Sequence, residues 1–585
     1  MADELITIHD QGTPRQIADA YVHALADLDP LTATYLGLNP GDDRLPDLSP
    51  AGPDAVADLG RRTLTALDAA ERGSAAPGGA APGSAAPGSG TVLDAAEQRC
   101  ARLLRERLTA ELAVHDAGED LRAVRNLGSP LHGVRDIFTL MPTATDDDWA
   151  VIARRLRRVP QALDEYRSTL AEGVRRGLLS APRQVTTVVR QLAEWLDSGS
   201  GSSWFADFTA AGPAALRTDL DRAAASATIA VAELRDWLRD VYAPAAVGTP
   251  DTVGRERYAR FVRYWNGSDL DLDEAYRWAW GEFHRLDAEM RAEALKVLPG
   301  ATPLEAMAHL EKDGPAIEGA EEARSYLQGL MDQAVRDLQG THFDLAEPVR
   351  RVESMIAPPG SAAAPYYTSP SLDFSRPGRT WLPTRGQQRF PVWDLVSTWY
   401  HEGVPGHHLQ LAQWNYVADE LSMYQVGVGM VSANSEGWAL YAERLMDELG
   451  YLTDPGARLG YLNAQMLRAL RVIIDIGMHV GLDFPADSPY RPGERMTPVT
   501  AREFFGRYCG LAADYLDSEL VRYLGIPGQA IGYKLGERAW LRGREAARAA
   551  RAARGEAFDL KAWHMAALSQ GSLGLDDLVD ELSRL

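Results

Sequence analysis

Three of the twelve histidines fall within eight residues, in the run His401-Glu402-Gly403-Val404-Pro405-Gly406-His407-His408. Imidazoles hold a divalent cation, and a carboxylate beside them takes a proton from a water that the cation has made acidic. The common zinc helix carries histidines at i and i+4 with glutamate at i+1. Here position i+4 is Pro405, so that motif is absent. On a regular helix His401 and His407 are about 9 Å apart along the axis and on different faces. His401 and His408 share a face but are separated by ~10.5 Å of rise. Neither pair can share one ion with bonds of about 2.0–2.1 Å unless the backbone bends. Gly403, Pro405 and Gly406 allow a bend, because proline removes a helical hydrogen bond and glycine is conformationally free. The expectation is a helix ending near Glu402, a short bulge, and a second helix starting near Gly406. The same residues also suit a plain helix-turn-helix with capping histidines.

A third ligand is required, and Glu436 in Ser435-Glu436-Gly437-Trp438-Ala439-Leu440-Tyr441-Ala442-Glu443 is a candidate. Asn434 or Ser435 is expected to cap this helix, placing Glu436 in its first turn. There a carboxylate is also favoured by the helix dipole alone. Glu443, two turns on, shares its face and suits a hydrogen bond to a ligand histidine. The segment Leu467–Val480 is apolar almost all round and should be buried, yet Arg468, Arg471, Asp475 and His479 form one polar stripe. An internal Arg471–Asp475 pair would explain two of them. The functional reading is a polar wall, with His479 as a donor to an oxyanion and an arginine binding a substrate carboxylate. Tyr533, after the Gly-rich turn Pro527-Gly528-Gln529-Ala530, is either a core tyrosine or a further oxyanion donor.

The elements that must position these groups read as helices. Apolar spacing predicts helices over 15–28, 92–114, 147–178, 214–241 and 272–297. Residues 343–383 change texture and predict a small sheet, after which helices resume from 392. Residues 73–90, a Gly/Ala/Pro/Ser repeat, predict a loop without fixed structure, and Ser198–Ser203 a shorter break. The domain reading is a helical region over 1–340 and a metal-binding region over 341–585, intertwined into one body. The fold class is mainly α, with the small sheet beside the metal-binding helix.

Composition narrows the function. Sixty Lys+Arg against 82 Asp+Glu leave a net charge of −22, which disfavours nucleic acid or an anionic membrane as partner. Two cysteines, Cys100 and Cys509, exclude a disulfide scaffold or a thiolate zinc cluster, so any metal is held by His and carboxylates. The first ten residues lack the pattern of a secretory leader, and the expected location is the cytoplasm.

The four segments resemble the bacterial domain of unknown function 885 family, grouped with metal-dependent peptidases, in HE-x-x-PGHH-L-Q, S-EGWALYAE, R-x-x-x-D-x-G-x-H and PGQA-x-x-Y-x-x-G. The match runs from about residue 365 to 536. The resemblance is to gluzincin-like zinc peptidases, and it implies a large two-lobed helical body around a cleft. It implies His401, His407 and Glu436 as zinc ligands (His408 the alternate), Glu402 as general base, and Tyr533 and His479 as oxyanion donors. It also implies that Pro377–Trp381 forms an edge strand that pairs with a peptide backbone. The expected activity is hydrolysis of amide bonds in short peptides or peptide-like metabolites with one Zn2+ per chain, Mn2+ or Co2+ being compatible with the donors. Arg468, Arg471 and Trp381 would bind substrate, while Asp475 and Glu443 would support them. The rivals are a non-peptidase metal-dependent tailoring enzyme and a non-catalytic helical binding protein. The sequence sets no oligomeric state.

Overall fold

The structure, a computed structural model, describes residues 12–75, 93–197, 199, 201–358 and 364–585. Helices dominate, with five short strands among the described residues. Helix Pro14–Leu28 starts at a Thr13 capping box, and helix Leu272–Val297 falls where periodicity predicts it. The predicted helix over 147–178 is two helices, Asp146–Leu156 and Val159–Arg176. Pro160 sits in the first turn of the second, where its missing N–H is tolerated, and cannot continue the first. The helix expected over 214–241 is Arg217–Trp237, entered by a 3-10 turn and left by a π turn over Leu238–Tyr242. Of the 73–90 repeat, the first three residues end helix Ala51–Ala75, and the remainder lies outside the described residues. Ser198 and Ser200 of the second break also lie outside them, and Ser203 caps helix Trp204–Thr209.

The chain forms two compact units, Met1–Leu93 with Leu108–Val253 and Ser518–Ile526, and Asp94–Arg107 with Gly254–Asp517 and Pro527–Leu585. The break near 253 replaces the boundary expected at 340. Its cause is helix Leu272–Val297, which packs within the second unit. There Trp280 and Phe283 meet Phe504 at ring separations of 5.2 and 5.5 Å, and Tyr276 donates to the Asp483 carbonyl. The first unit has its own core, in which Phe138, Trp149, Phe205 and Leu156 are buried. Every candidate site residue lies in the second unit.

Helix Pro455–Val480 is buried along most of its length, as its apolar sequence requires. Helices Ser432–Glu448 and Gly532–Ala553 touch at Gly437 and Gly536, where a Cβ on Gly536 would overlap the Ala433 carbonyl oxygen. Two small sheets complete the unit. Strands β1 (Ala316–Glu318) and β5 (Arg389–Pro391) pair antiparallel. Strands β2 (Val352–Ile356), β3 (Tyr366–Thr368) and β4 (Gly378–Leu382) form a sheet in the order β2-β4-β3, inside the region predicted for one. Strand β4 is therefore central, not an edge. It pairs parallel with β2 and antiparallel with β3, so its backbone is not open to a peptide. Trp381 helps close that side, stacking on Tyr366 and donating Nε1 to Thr368 Oγ1 at 3.0 Å. The outer edge of β2 is met by Gln328, which bonds the Val352 carbonyl and the Ser354 N–H.

The crossing at Gly437 and Gly536 yields a prediction. Gly536→Ala should destabilise the protein by about 1–3 kcal/mol through overpacking, measured by urea unfolding, whereas Gly281→Ala, where a Cβ meets nothing within 4 Å, should not.

Candidate metal centre

Helix Leu395–Glu402 ends at Gly403, and helix His407–Tyr416 begins after Gly406, so the predicted bend is present. The Val404–Pro405 peptide is cis. The turn is tight: Gly406 N–H donates to the Tyr400 carbonyl, and a Cβ at Gly406 would overlap the Tyr400 and His401 carbonyl oxygens. The Trp438 indole N–H donates to the Pro405 and Gly406 carbonyls at 2.9 and 3.1 Å, pinning the bend to the helix that carries Glu436.

The bend turns both imidazoles toward one point. His401 Nε2 and His407 Nε2 lie 3.4 and 3.6 Å from Glu436 Oε2, with the rings nearly perpendicular. One donor atom from each of the three lies within 4.8 Å of the others. Tetrahedral bonds of about 2.0–2.1 Å place donors roughly 3.3–3.4 Å apart, close to the two separations from Glu436. Glu436 Oε2 is buried and has no hydrogen-bond donor. An acceptor-only oxygen left in that state is costly, and a cation removes the cost.

The surrounding groups orient the donors. His401 Nδ1 is 2.8 Å from Glu443 Oε1, and Ser397 Oγ donates to Glu443 Oε2 at 2.6 Å. His407 Nδ1 lies 3.3 Å from Ser435 Oγ. Each ring is thus held at its outer nitrogen, leaving Nε2 to face the centre. Helix Ser432–Glu448 begins earlier than expected, with Val431 before it, so neither Asn434 nor Ser435 caps it and Glu436 lies beyond the first turn. Those two residues serve the site instead, since Asn434 Oδ1 accepts from Gln410 of the His407 helix.

Burial opposes charge on His401, but the Glu436 and Glu443 carboxylates outweigh it and raise its pKa to about 9. Burial raises the Glu436 carboxyl, and the close approach and charge of the His401 and His407 imidazoles outweigh that, holding it well below the usual range. Glu443 is lowered in the same way, against burial, by the His401 hydrogen bond and the Arg468 charge. Glu402, the last residue of its helix, goes the other way: burial raises its pKa, only partly offset by His401, His407 and Arg468. A carboxylate raised toward neutrality beside a group that could hold a cation is suited to carrying a proton.

His408 is turned away. Its Nδ1 is 3.0 Å from the Tyr367 hydroxyl of β3, its Nε2 is 2.7 Å from the Val349 carbonyl, and burial lowers its pKa to about 4. With both nitrogens engaged, it ties the His407 helix to the sheet. The Trp399 indole, donating to Ser354 Oγ of β2 at 2.9 Å, does the same for the His401 helix.

The polar stripe divides. Arg468 Nη1 donates to the Ala464 carbonyl, and its charge acts on Glu402 and Glu443. The Arg471 guanidinium lies 4.5 Å from the centre of the half-buried Tyr533 ring. Asp475 Oδ2 accepts from the Tyr258 hydroxyl and from Gly528 N–H, both at 2.8 Å, so it holds the turn that leads to Tyr533. His479 stacks on Tyr258, lies 3.5 Å from Asp475 Oδ1, and has a side chain with no exposed surface. As placed, it is enclosed between Tyr258 and Asp475 and braces this turn. Sequence reasoning missed Ser397, Ser435 and Tyr258. Ser397 stands one turn before His401, a spacing that exposes its role, whereas nothing local marks Tyr258.

Comparison with known proteins adds a family and a fold. The family model described as "Bacterial protein of unknown function (DUF885)" matches residues 30–582. A structure from Colwellia psychrerythraea, described as a "putative lipoprotein", is 21% identical with a TM-score of 0.80, covering 98% of this chain and 99% of that one. A structure from Shewanella oneidensis, described as a "putative lipoprotein of unknown function", is 18% identical with a TM-score of 0.70, covering 98% and 100%. No curated protein matches. The descriptions of these two structures overturn the cytoplasmic expectation, which rested on the lack of a leader pattern. Among the described residues no helix is long and apolar enough to cross a membrane.

The opposed roles of the two adjacent histidines are testable. His408→Leu leaves the Tyr367 hydroxyl and the Val349 carbonyl without partners and should cost about 1–3 kcal/mol in urea unfolding. His407→Ala, which loses the longer Ser435 contact and the looser approaches to Glu436 and the His401 ring, should cost clearly less.

Proposed function

The chain belongs to the bacterial family of unknown function DUF885, and from the geometry of its metal-ligating group we propose that it is a metal-dependent hydrolase of amide bonds in short peptides or peptide-like metabolites. One observation carries this reading: the donor-less Glu436 Oε2 lies between His401 Nε2 and His407 Nε2. A zinc ion held by these residues supplies Lewis acidity toward a carbonyl and acidifies a water. Mixed nitrogen and oxygen donors also accept manganese or cobalt. Kinship with gluzincin-like zinc peptidases is part of the same proposal.

The protein's own groups do the rest. Glu402, adjacent to His401 and raised by burial, takes the proton of the attacking water and returns it to the leaving amine. Glu443 and Ser397 keep His401 in the tautomer that presents Nε2 inward. Tyr533 is the donor offered to the developing oxyanion, held in place by Arg471 and by the turn that Asp475 fixes. Arg468, whose charge reaches Glu402, is the group assigned in this reading to a substrate carboxylate. Likeness to proteins described as lipoproteins supports action outside the cytoplasm.

The purified protein should contain one zinc per chain by elemental analysis and cleave members of a dipeptide and tripeptide panel. Glu402→Gln should retain the zinc and lose about 10²–10⁴-fold in kcat. Full amidase activity in that variant contradicts the mechanism. Bound metal with no peptide cleaved points to a tailoring reaction instead, and no stoichiometric metal points to a binding protein. Glu443→Gln should weaken zinc binding about 10–100-fold in a chelator competition, with the fold intact.

A further inference from the structure

The first compact unit contains a cavity of about 310 Å³, independent of the metal centre. It lies between the loop that follows helix Pro30–Tyr35 and helix Asp146–Leu156. Left-handed residues Gly37, Asn39 and Gly41 fold this loop over the cavity. Leu38, Leu140, Met141 and Val151 give it apolar walls.

Its lining includes Arg155, which is 0% exposed. Its hydrogen-bonded partners are neutral: Nε donates to the Arg44 carbonyl at 3.1 Å and Nη1 to Thr34 Oγ1 at 3.0 Å. Nη2 is buried with no acceptor. The carboxylates of Asp42, Asp43 and Asp29 act on Arg155 through charge, which its burial outweighs, while their hydrogen bonds go to other groups. Asp42 is bridged by Arg44, and Asp43 by Arg154 and Arg158. Asp148, also in the lining, accepts from the Ala144 and Thr145 N–H groups. A buried guanidinium without a hydrogen-bonded anion is unfavourable, and a cavity beside it gives an anion room to enter.

We propose that this cavity is a binding site for a small monocarboxylate with an apolar body, its carboxylate completing Arg155 and its chain resting on Leu38, Met141 and Val151. A dianion is disfavoured, because the lining brings one uncommitted guanidinium donor and two carboxylates of its own. The volume is at the lower end for ligand pockets, which sets the size class.

Titration calorimetry of the full chain with sodium hexanoate tests this, with hexylammonium chloride and inorganic phosphate as comparison probes. Saturable hexanoate binding is expected, without saturable binding of either comparison probe. Arg155→Gln should weaken it at least about tenfold. Because Arg155 is buried and that variant can fail to fold, Val151→Trp, which fills the cavity from the half-buried face of its helix, is the second variant. It should abolish hexanoate binding while leaving far-UV circular dichroism unchanged. No saturable hexanoate binding overturns the proposal. So does unchanged affinity in Val151→Trp, which is the result expected if hexanoate binds at the metal centre, or equal binding of hexylammonium or phosphate.

Discussion

A carboxylate oxygen that is buried, acceptor-only and without a donor is the constraint around which the second unit is arranged. Glu436 Oε2 faces two imidazole nitrogens at 3.4 and 3.6 Å, and no hydrogen bond satisfies it. Such an arrangement is expensive for a fold that has no use for a cation. The cost is borne at a bend where glycines admit carbonyl oxygens that a side chain would displace, and where a tryptophan indole holds the Pro405 and Gly406 carbonyls.

The supporting structure removes freedom from each donor in turn. His408 and Trp399 fasten the two histidine helices to the β2-β4-β3 sheet. Glu443 and Ser435 hold the outer nitrogens of the rings. The Gly437–Gly536 contact brings the Glu436 helix against the helix that starts at Gly532. Asp475 ties the intervening turn to the long buried helix Pro455–Val480. The small sheet is consequently a brace for the centre, and β4, paired on both sides, has no backbone left for a peptide.

The bend was legible in the sequence because Gly-x-Pro-Gly inside a histidine run has few other physical readings, and its limits at Glu402 and His407 agree with it. The choice of His407 over His408 was not legible from spacing. It depends on Tyr367 and Val349, more than forty residues earlier in the chain, which occupy both nitrogens of His408. The polar stripe was legible as polar and buried but not by role. Asp475 meets Tyr258, about two hundred residues away, and that contact encloses His479. The unit boundary was missed for a related reason: helical periodicity in 272–297 gives the helix but not the partner it packs on. Compartment was misjudged because the absence of a leader pattern is weak evidence, outweighed by two solved relatives of the same fold.

The most direct measurement of the central claim is an anomalous difference map at the zinc edge, from crystals of the protein grown with zinc. The account predicts one strong peak per chain, within about 2.0–2.2 Å of His401 Nε2, His407 Nε2 and Glu436 Oε2. A map with no peak there, or with zinc bound by His408 after a rearranged bend, would contradict it.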